Sequence, residues 1–438
     1  MSGLAEILME EGFRVSGSDS QKSELTEQLE ARGAKVFYGQ RASNIEDGID
    51  VAVYTAAVHP DNPEFMAVQE KGIPMLTRAE LLGQMMRNYR YAVGISGTHG
   101  KTTTTSMVTE ILLAAHADPT ISVGGILNSI GGNIRVGGSD LFVTEACEYT
   151  NSFLSFFPNM EVILNIEEDH LDFFKDIEDI RHSFRLFAEK LPKEGLLVIS
   201  SDIERYQEIV DGLPCRVVTC GKLPGSDYMA ENITYDELAR ATFDLVIKGK
   251  RAAVITLGVP GEHNVYNALA AIALCQKLDI GMEEIQAGLK KFTGTNRRFE
   301  KKGELGGVTI IDDYAHHPRE IAATLAAAKN YPHKKLWCVF QPHTYTRTKA
   351  LLPEFAKALS LADHVVVADI YAARETNTYN ISSKDLVNKI IELGKNAIYL
   401  PSLEECASYL KENVKKDDIV LTLGAGTVTN IGPMIVER

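Results

Sequence analysis

No apolar run in the 438-residue sequence approaches the ~18 residues that a membrane-spanning helix requires. Basic residues are in deficit: 45 Lys and Arg against 59 Asp and Glu leave a net charge of −14. A surface of that sign repels nucleic acid and anionic membranes, so neither is expected as a partner. An anionic ligand must then be held by local devices rather than by the overall field. The six cysteines, at 147, 215, 220, 275, 338 and 406, form no CxxC pair of the metal-binding kind. Most sit in apolar runs, which predicts buried, reduced thiols in a cytoplasmic protein. The stretch "MSGLAEILMEEGFRV" lacks the basic segment of a secretory signal and soon turns acidic. There is no short internal repeat and no low-complexity segment. What remains is an ordinary globular composition, 45% apolar and 24% charged, with length for roughly two to four domains.

Helical and strand patterns alternate along the whole chain, which predicts an α/β fold with parallel sheets and crossover helices. Three domains in series are expected. The first, 1–89, reads as Rossmann-like, with helices at "SGLAEILMEEG", "KSELTEQLEARG" and "TRAELLGQMMR" and strands at "FRVSGSD", "KVFYG" and "DVAVYTAA". It opens on a helix, whereas a nucleotide-binding βαβ unit would place a strand and glycine turn before it, so that first strand is expected to be missing. The second, 90–296, reads as a central sheet of the P-loop ATPase type, and "ATFDLVIKGKRAAVITLGV" within it has the period of an antiparallel hairpin. The polar, Gly-rich "TGTNRRFEKKGELGG" reads as a linker. The third, 297–438, is again Rossmann-like, with strands such as "VTIIDDYA", "KLWCVFQP" and "DIVLTLGAG".

The strongest chemical signal is "YAVGISGTHGKTTTTSMVTEILLAA", residues 91–115. A strand runs into Gly97, Thr98, His99 and Gly100, and a helix starts at Lys101, Thr102 and Thr103. The usual Gly-x4-Gly-Lys-Ser/Thr spacing would need glycine at 95, which is Ile95, and Gly94 falls one residue early. Even so, glycines that permit positive φ, followed by a helix N-terminus, make an anion cradle. Lys101 would reach the outer phosphates of a nucleotide, and the Thr102 hydroxyl would ligate Mg²⁺. A lysine and consecutive threonines at a helix start have little packing reason to be there. Glu145 follows the apolar "LFVT", and His170 in "NIEEDHLD" lies just past "MEVILNI". Both therefore belong at the carboxyl edge of the sheet, where a metal ion would need them. Glu148 is a further carboxylate one turn on.

Other candidates carry a weaker signal. Asn264 in "GEHNVYNALAA" would read an adenine edge or cap a helix, and the cap is the favoured reading. Arg297 and Arg298 in "NRRF" could clamp a phosphate or be solvated. Asp313, Tyr314, His316 and His317 crowd one strand end, although adjacent histidines face different ways and make a poor metal pair. His343 and Arg347 in "QPHTYTRT" follow another strand, and Arg347 would fork a carboxylate or phosphate. "TLGAGT" (422–427) reads as a close-packed glycine turn.

Taken together, "GTHGKTT", "TEACEYTNSF", "NIEEDHLD", "GEHNVYNALAA", "NRRFE", "DDYAHHP" and "FQPHTYTRT" resemble the Mur ligases of bacterial cell-wall synthesis in order and spacing. The histidines of three of these motifs look most like the branch that adds the first amino acid. The resemblance implies that ATP phosphorylates the lactyl carboxylate of UDP-N-acetylmuramate and that the amine of L-alanine attacks the acyl phosphate. It implies Mg²⁺ at Thr102, Glu145 and His170, and ATP contacts from residues 97–103, Asn264, Arg298 and Asp313. Substrate contacts would come from Asp19, Glu148, Tyr314, His316 and Arg347, with Lys101, His170 and Arg347 catalytic. The sugar nucleotide would rest on "SGSD" (16–19), residues 54–64 and Arg78. A tripeptide-adding relative and an ATP-binding module without ligase activity are the alternatives, and a monomer or weak dimer is the expected working unit. Thr344 stands where relatives often carry arginine.

Overall fold

The computed structural model describes residues 1–436 apart from 56, 57, 172 and 374. Part of the 54–64 stretch and one residue of "NIEEDHLD" therefore lie outside the described residues.

In the first domain, strands β1 (Ser16–Asp19) and β2 (Lys35–Tyr38) pair in parallel, as do β3 (Ala52–Tyr54) and β4 (Met75–Thr77). The two pairs are separate sheets among the described residues. Helix Arg78–Met86 follows β4 through a capping box, in which Thr77 accepts from Glu80 N–H and the Glu80 side chain returns to the Thr77 backbone. Its Leu82, Met85 and Met86 join Leu4 and Ile7 of helix Ser2–Glu10 against Phe142 and Phe184 of the central domain. Gly3 makes that approach possible, because a Cβ there would lie 1.9 Å from Ile134 Cδ1.

The central domain is one ten-stranded sheet built from β5 (Tyr91–Ser96), β6 (Thr120–Leu127), β7 (Gly132–Arg135), β8 (Leu141–Glu145), β9 (Met160–Ile163), β10 (Leu196–Ser200), β11 (Arg216–Cys220), β12 (Tyr228–Tyr235), β13 (Arg240–Ile247) and β14 (Lys250–Pro260). Their order is β14-β13-β12-β11-β10-β9-β5-β8-β6-β7. The six strands from β11 to β6 run parallel, and the expected hairpin is the antiparallel pair β13–β14. Successive side chains alternate between two buried faces, as the two-residue strand period requires. On β5, Ala92 joins Phe142 and Phe187 on one face, while Val93 and Ile95 join Met107 and Ile272 on the other. Gly94 belongs to this packing: a Cβ there would lie 3.2 Å from Phe187 Cζ. The glycine that falls one residue early for a phosphate loop is therefore a sheet-packing residue.

The third domain is a six-stranded sheet of order β15-β16-β20-β17-β18-β19, comprising β15 (Glu300–Leu305), β16 (Val308–Asp313), β17 (Leu336–Phe340), β18 (His364–Val367), β19 (Asn396–Tyr399) and β20 (Ile419–Leu423). All neighbours are parallel except β15–β16. The linker expected over 293–307 is thus partly wrong, since its second half is an antiparallel edge strand. Half-exposed on an edge, it needs no apolar run and so reads as polar. The "TLGAGT" turn is close-packed as expected: a Cβ at Gly426 would meet Gln341 Oε1 at 2.4 Å. Four of the six cysteines are buried, Cys215 is half-buried and Cys147 is exposed, and none is in a disulfide. No helix among the described residues is long and apolar enough to cross a membrane.

Candidate active site

Strand β5 ends between β8 and β9, at the point where the following connections diverge to opposite sides of the sheet. Such a switch point opens a crevice outside the carboxyl ends of the strands. The turn from β5 into helix Lys101–Ala114 depends on two glycines, Gly97 at φ 140° and Gly100 at φ 84°. A Cβ at Gly100 would also lie 2.6 Å from Asn267 Oδ1. Asn165, just past β9, holds the turn in shape. It accepts from His99 N–H at 2.8 Å through its side chain, donates to His99 O at 3.0 Å, and accepts from Thr98 N–H at 3.2 Å through its carbonyl. The expectation that loop N–H groups turn to an anion therefore fails at Thr98 and His99, whose donors are already used. It passes to the helix start, which has no side-chain cap and presents its positive end.

Lys101 Nζ donates to Glu148 Oε2 at 2.9 Å, to Thr98 O at 3.1 Å and to Gly97 O. Burial would lower its pKa, but the Glu148 carboxylate outweighs burial and holds the ammonium above its ordinary range. Thr102 Oγ1 donates to Glu145 Oε2 at 3.0 Å, and the other Glu145 oxygen accepts from Gly124 N–H. His170, at a left-handed φ of 53°, stacks on Tyr149 with centroids 4.4 Å apart. Its Nε2 lies 3.8 Å from Glu148 Oε1, a buried oxygen without a hydrogen-bond partner among the described residues. Burial, with added repulsion from Arg347 and Lys101, lowers the His170 pKa. The hydroxyl and carboxylates are the hard oxygen donors that Mg²⁺ takes, so the residues present fit that ion.

Of four consecutive residues at this edge of the central sheet, three reach the third domain. Glu167 pairs with Arg319 and has Oε2 3.2 Å from His99 Nε2. The carbonyl of Glu168 lies 3.2 Å from His317 Nε2. Asp169 Oδ1 accepts from Arg347 at 3.0 and 3.3 Å, and His170 turns to Glu148. Burial would raise the Asp169 pKa, but the Arg347 guanidinium holds its carboxyl well below the usual carboxylate range. Arg319, His317 and Arg347 all belong to the third domain, so "EEDH" joins two domains across the crevice. Glu320 completes the junction: it accepts from the His316 and His317 N–H groups at 3.1 and 3.3 Å and meets His99 Nδ1 at 3.1 Å. His316, buried near Arg347, is held down to about 4.

Beside the loop, between the two domains, lies a cavity of about 330 Å³. Thr103, Asn264, Arg298 and Asp313 line it together with His99 and Gly100. Asn264 is not the helix cap that its residue type suggests. The helix begins at His263 after Glu262, and the Asn264 amide donates to Pro260 O at 2.7 Å and accepts from Asn267 at 3.0 Å. Asp313, pushed up to about 6 by burial, accepts from Phe299 and Ala315 N–H groups. Arg297 turns away and pairs with Asp312 at 3.2 Å. Tyr314 is held by arginines, its ring 4.9 Å from Arg297 and 5.3 Å from Arg298. Asp19 ends β1 and accepts from Gln21 N–H at 3.2 Å, with no bond to the phosphate loop among the described residues. Asn165, Glu167, Asp169 and Glu320 were not singled out by residue type. The H-P-R-E capping pattern at 317–320 was the one local signal for Glu320.

Three α/β domains and a phosphate loop that faces a third-domain arginine define an ATP-dependent ligase architecture, and comparison gives it a family. The chain matches the Mur ligase family catalytic domain at 1–90, the Mur ligase middle domain at 95–275 and the Mur ligase glutamate ligase domain at 297–426. It belongs to the Mur ligase family. It is 62% identical to the UDP-N-acetylmuramate–L-alanine ligase of Lachnospira eligens, over all of this chain and 95% of that one. The crystal structure of the Thermotoga maritima UDP-N-acetylmuramate-alanine ligase aligns at 31% identity and a TM-score of 0.84, covering 100% of this chain and 96% of that one. A murein peptide ligase from Psychrobacter arcticus, at 23% identity and a TM-score of 0.73 over 100% and 95% of the two chains, shares the fold.

Proposed function

We propose that this protein joins L-alanine to the lactyl carboxylate of UDP-N-acetylmuramate at the expense of ATP, in the synthesis of peptidoglycan precursors. The γ-phosphoryl group passes to a carboxylate oxygen, giving ADP and an acyl phosphate. The alanine amine then attacks the acyl carbon, expels phosphate and loses a proton, leaving an amide. Phosphoryl transfer of this kind needs positioning and charge neutralisation more than a covalent side chain.

The observation that carries this reading is the buried Lys101–Glu148 pair at the mouth of the loop, one residue network away from Arg347 of the third domain. In this reading the helix start and Lys101 hold the phosphates, and Asn264, Arg298, Thr103 and Asp313 hold the nucleoside end in the cavity. Thr102 and Glu145 would hold one Mg²⁺ and His170 a second, where the ions would neutralise charge on the transferring group. Arg347, positioned by Asp169, and His316 face the acyl phosphate, and the first domain, with Asp19, takes the sugar nucleotide. The working units are bounded at 1–89, 90–296 and 297–438, and a cytoplasmic location fits the free thiols. Phosphate release should require ATP, UDP-N-acetylmuramate and L-alanine together. Release without the amino acid, or with a tripeptide preferred over alanine, would refute the assignment.

A further inference from the structure

Residues 292–298 carry the chain from the central domain to the third and skirt the nucleotide cavity, whose wall includes Phe292, Gly294 and Arg298. Arg297 is anchored in the third domain, through Asp312 and the carbonyl of Gly424. Asn296 is still anchored in the central one, because its N–H donates to Ile126 O at 3.2 Å. Just before this change of side stands Thr295. It is 4% exposed, and its hydroxyl oxygen is buried without a hydrogen-bond partner among the described residues.

A hydroxyl buried without a partner is destabilising, and one kept in a fold points to a water, an ion or a ligand that satisfies it. The surroundings of Thr295 say which. A Cβ at Gly125 would lie 3.2 Å from Thr102 Cγ2 and 3.9 Å from Thr295 Oγ1. The orphaned hydroxyl and the helix-start threonine therefore stand against the same glycine. Gly124, next along strand β6, donates its N–H to Glu145, whose other oxygen accepts from the Thr102 hydroxyl. Among the described residues, Gly124 and Gly125 pair with neither β7 nor β8. Their contacts are Glu145 on one hand and the linker on the other.

We propose that the Thr295 hydroxyl binds the hydrated divalent ion of the nucleotide, by accepting a hydrogen bond from a water that the ion retains. The proposal rests on the reading of Thr102 and Glu145 as that ion's ligands. Mg²⁺ dehydrates reluctantly and keeps several waters at ~2.0–2.1 Å. A further hydrogen bond of ~2.8 Å lets such a water reach a group outside the direct ligands. Water on a cation is a donor, so Thr295 accepts from it, and its own O–H stays free for a phosphate oxygen. Because Asn296 and Arg297 are held by different domains, ion binding then fixes the linker where the chain changes domain.

The test is calorimetric titration of the full chain with a non-hydrolysable ATP analogue, once in Mg²⁺ and once in EDTA. The ratio of the two affinities is the factor by which the ion improves nucleotide binding, and the melting temperature of the ligand-free protein is read beside it. Thr295→Val keeps the shape and removes the hydroxyl. It should cut that factor by about tenfold or more, leave the affinity in EDTA unchanged, and melt no lower than wild type, since an unsatisfied group is gone. Thr295→Ser should retain the factor. A hydroxyl with a merely structural role gives the opposite pattern, a lower melting temperature in Thr295→Val with the factor kept, and that result would overturn the proposal. An unchanged factor at any melting temperature, or an equal loss in Thr295→Ser, would do the same. Glu145→Gln separates this role from the ion position: if it too keeps the factor, the ion lies elsewhere and both readings fail. If Glu145→Gln loses the factor and Thr295→Val keeps it, only the role of Thr295 falls.

Discussion

Replacing Lys101 by methionine tests the loop and its carboxylate together. Glu148 is 2% exposed and Lys101 15%, so the substitution leaves a buried charge without its ammonium. Breaking one side of such a pair costs about 3–5 kcal/mol. At 2–4 °C per kcal/mol for a unit of this size, the central domain should melt roughly 6–20 °C lower. His170, 3.8 Å away, can take a proton and soften the loss, which favours the lower end. Lys101→Met with Glu148→Gln removes both charges and should recover most of that stability, with a coupling of about 0.5–3 kcal/mol. It should not recover catalysis, because the ammonium proposed to meet the transferring phosphoryl group is still missing; kcat should fall at least about 10²–10³-fold in both variants. The assays are thermal melting and substrate-dependent phosphate release. If the single and double variants melt alike, the pair is not coupled. If Lys101→Met releases phosphate at the normal rate, the loop has no part in the reaction.

Glu145→Gln should raise the Mg²⁺ concentration needed for half-maximal activity by about tenfold or more, and an unchanged requirement would remove Glu145 from the ion's ligands. Gly100→Ala forces a non-glycine residue into a left-handed φ and against Asn267, so denaturant melts should show a loss of about 1–3 kcal/mol; wild-type stability would mean that the turn relaxes freely. Asp169→Asn unpins Arg347 and should lower kcat/KM by about 10²-fold with the fold retained, and full activity would show that Arg347 needs no positioning. Burial, reinforced by Arg347 and offset by Glu375 and Asp169, holds His343 down to about 4. A depressed pKa gives stability that is full above the ordinary value near 6.5 and is lost as pH falls toward 4. Over that window wild type should lose melting temperature faster than His343→Asn, and parallel slopes would refute the assignment.

The fold was legible wherever a strand is buried on both faces, as in "LFVTE" or "LWCVF", because continuous apolar runs bounded by polar residues leave few alternatives. It was not legible at an edge or where antiparallel pairs extend the sheet. Strand Thr120–Leu127 contains two glycines, Tyr228–Tyr235 reads as polar, and Glu300–Leu305 is charged, because an edge or hairpin strand owes its place to its partner. That Lys101, Thr102 and Glu145 meet at one sheet edge was legible from one strand–turn–helix and one strand end. Glu320 and Asp169 were not, since their roles arise only when two domains dock, which local spacing does not encode. Asn264 shows the opposite failure: its preference for a cap was overridden by a helix that starts one residue earlier and by a partner at Asn267.

The grip of Asn165 on Thr98 and His99 settles where nucleotide recognition spends its free energy. A flexible cradle would lose conformational entropy when phosphate arrives, but this one is already fixed by a neighbouring strand end, so little affinity is forfeited there. Substitutions at the contacts that join the central and third domains, Glu167 with Arg319 and Asp169 with Arg347, should therefore change nucleotide affinity more than substitutions that leave the turn and those contacts intact.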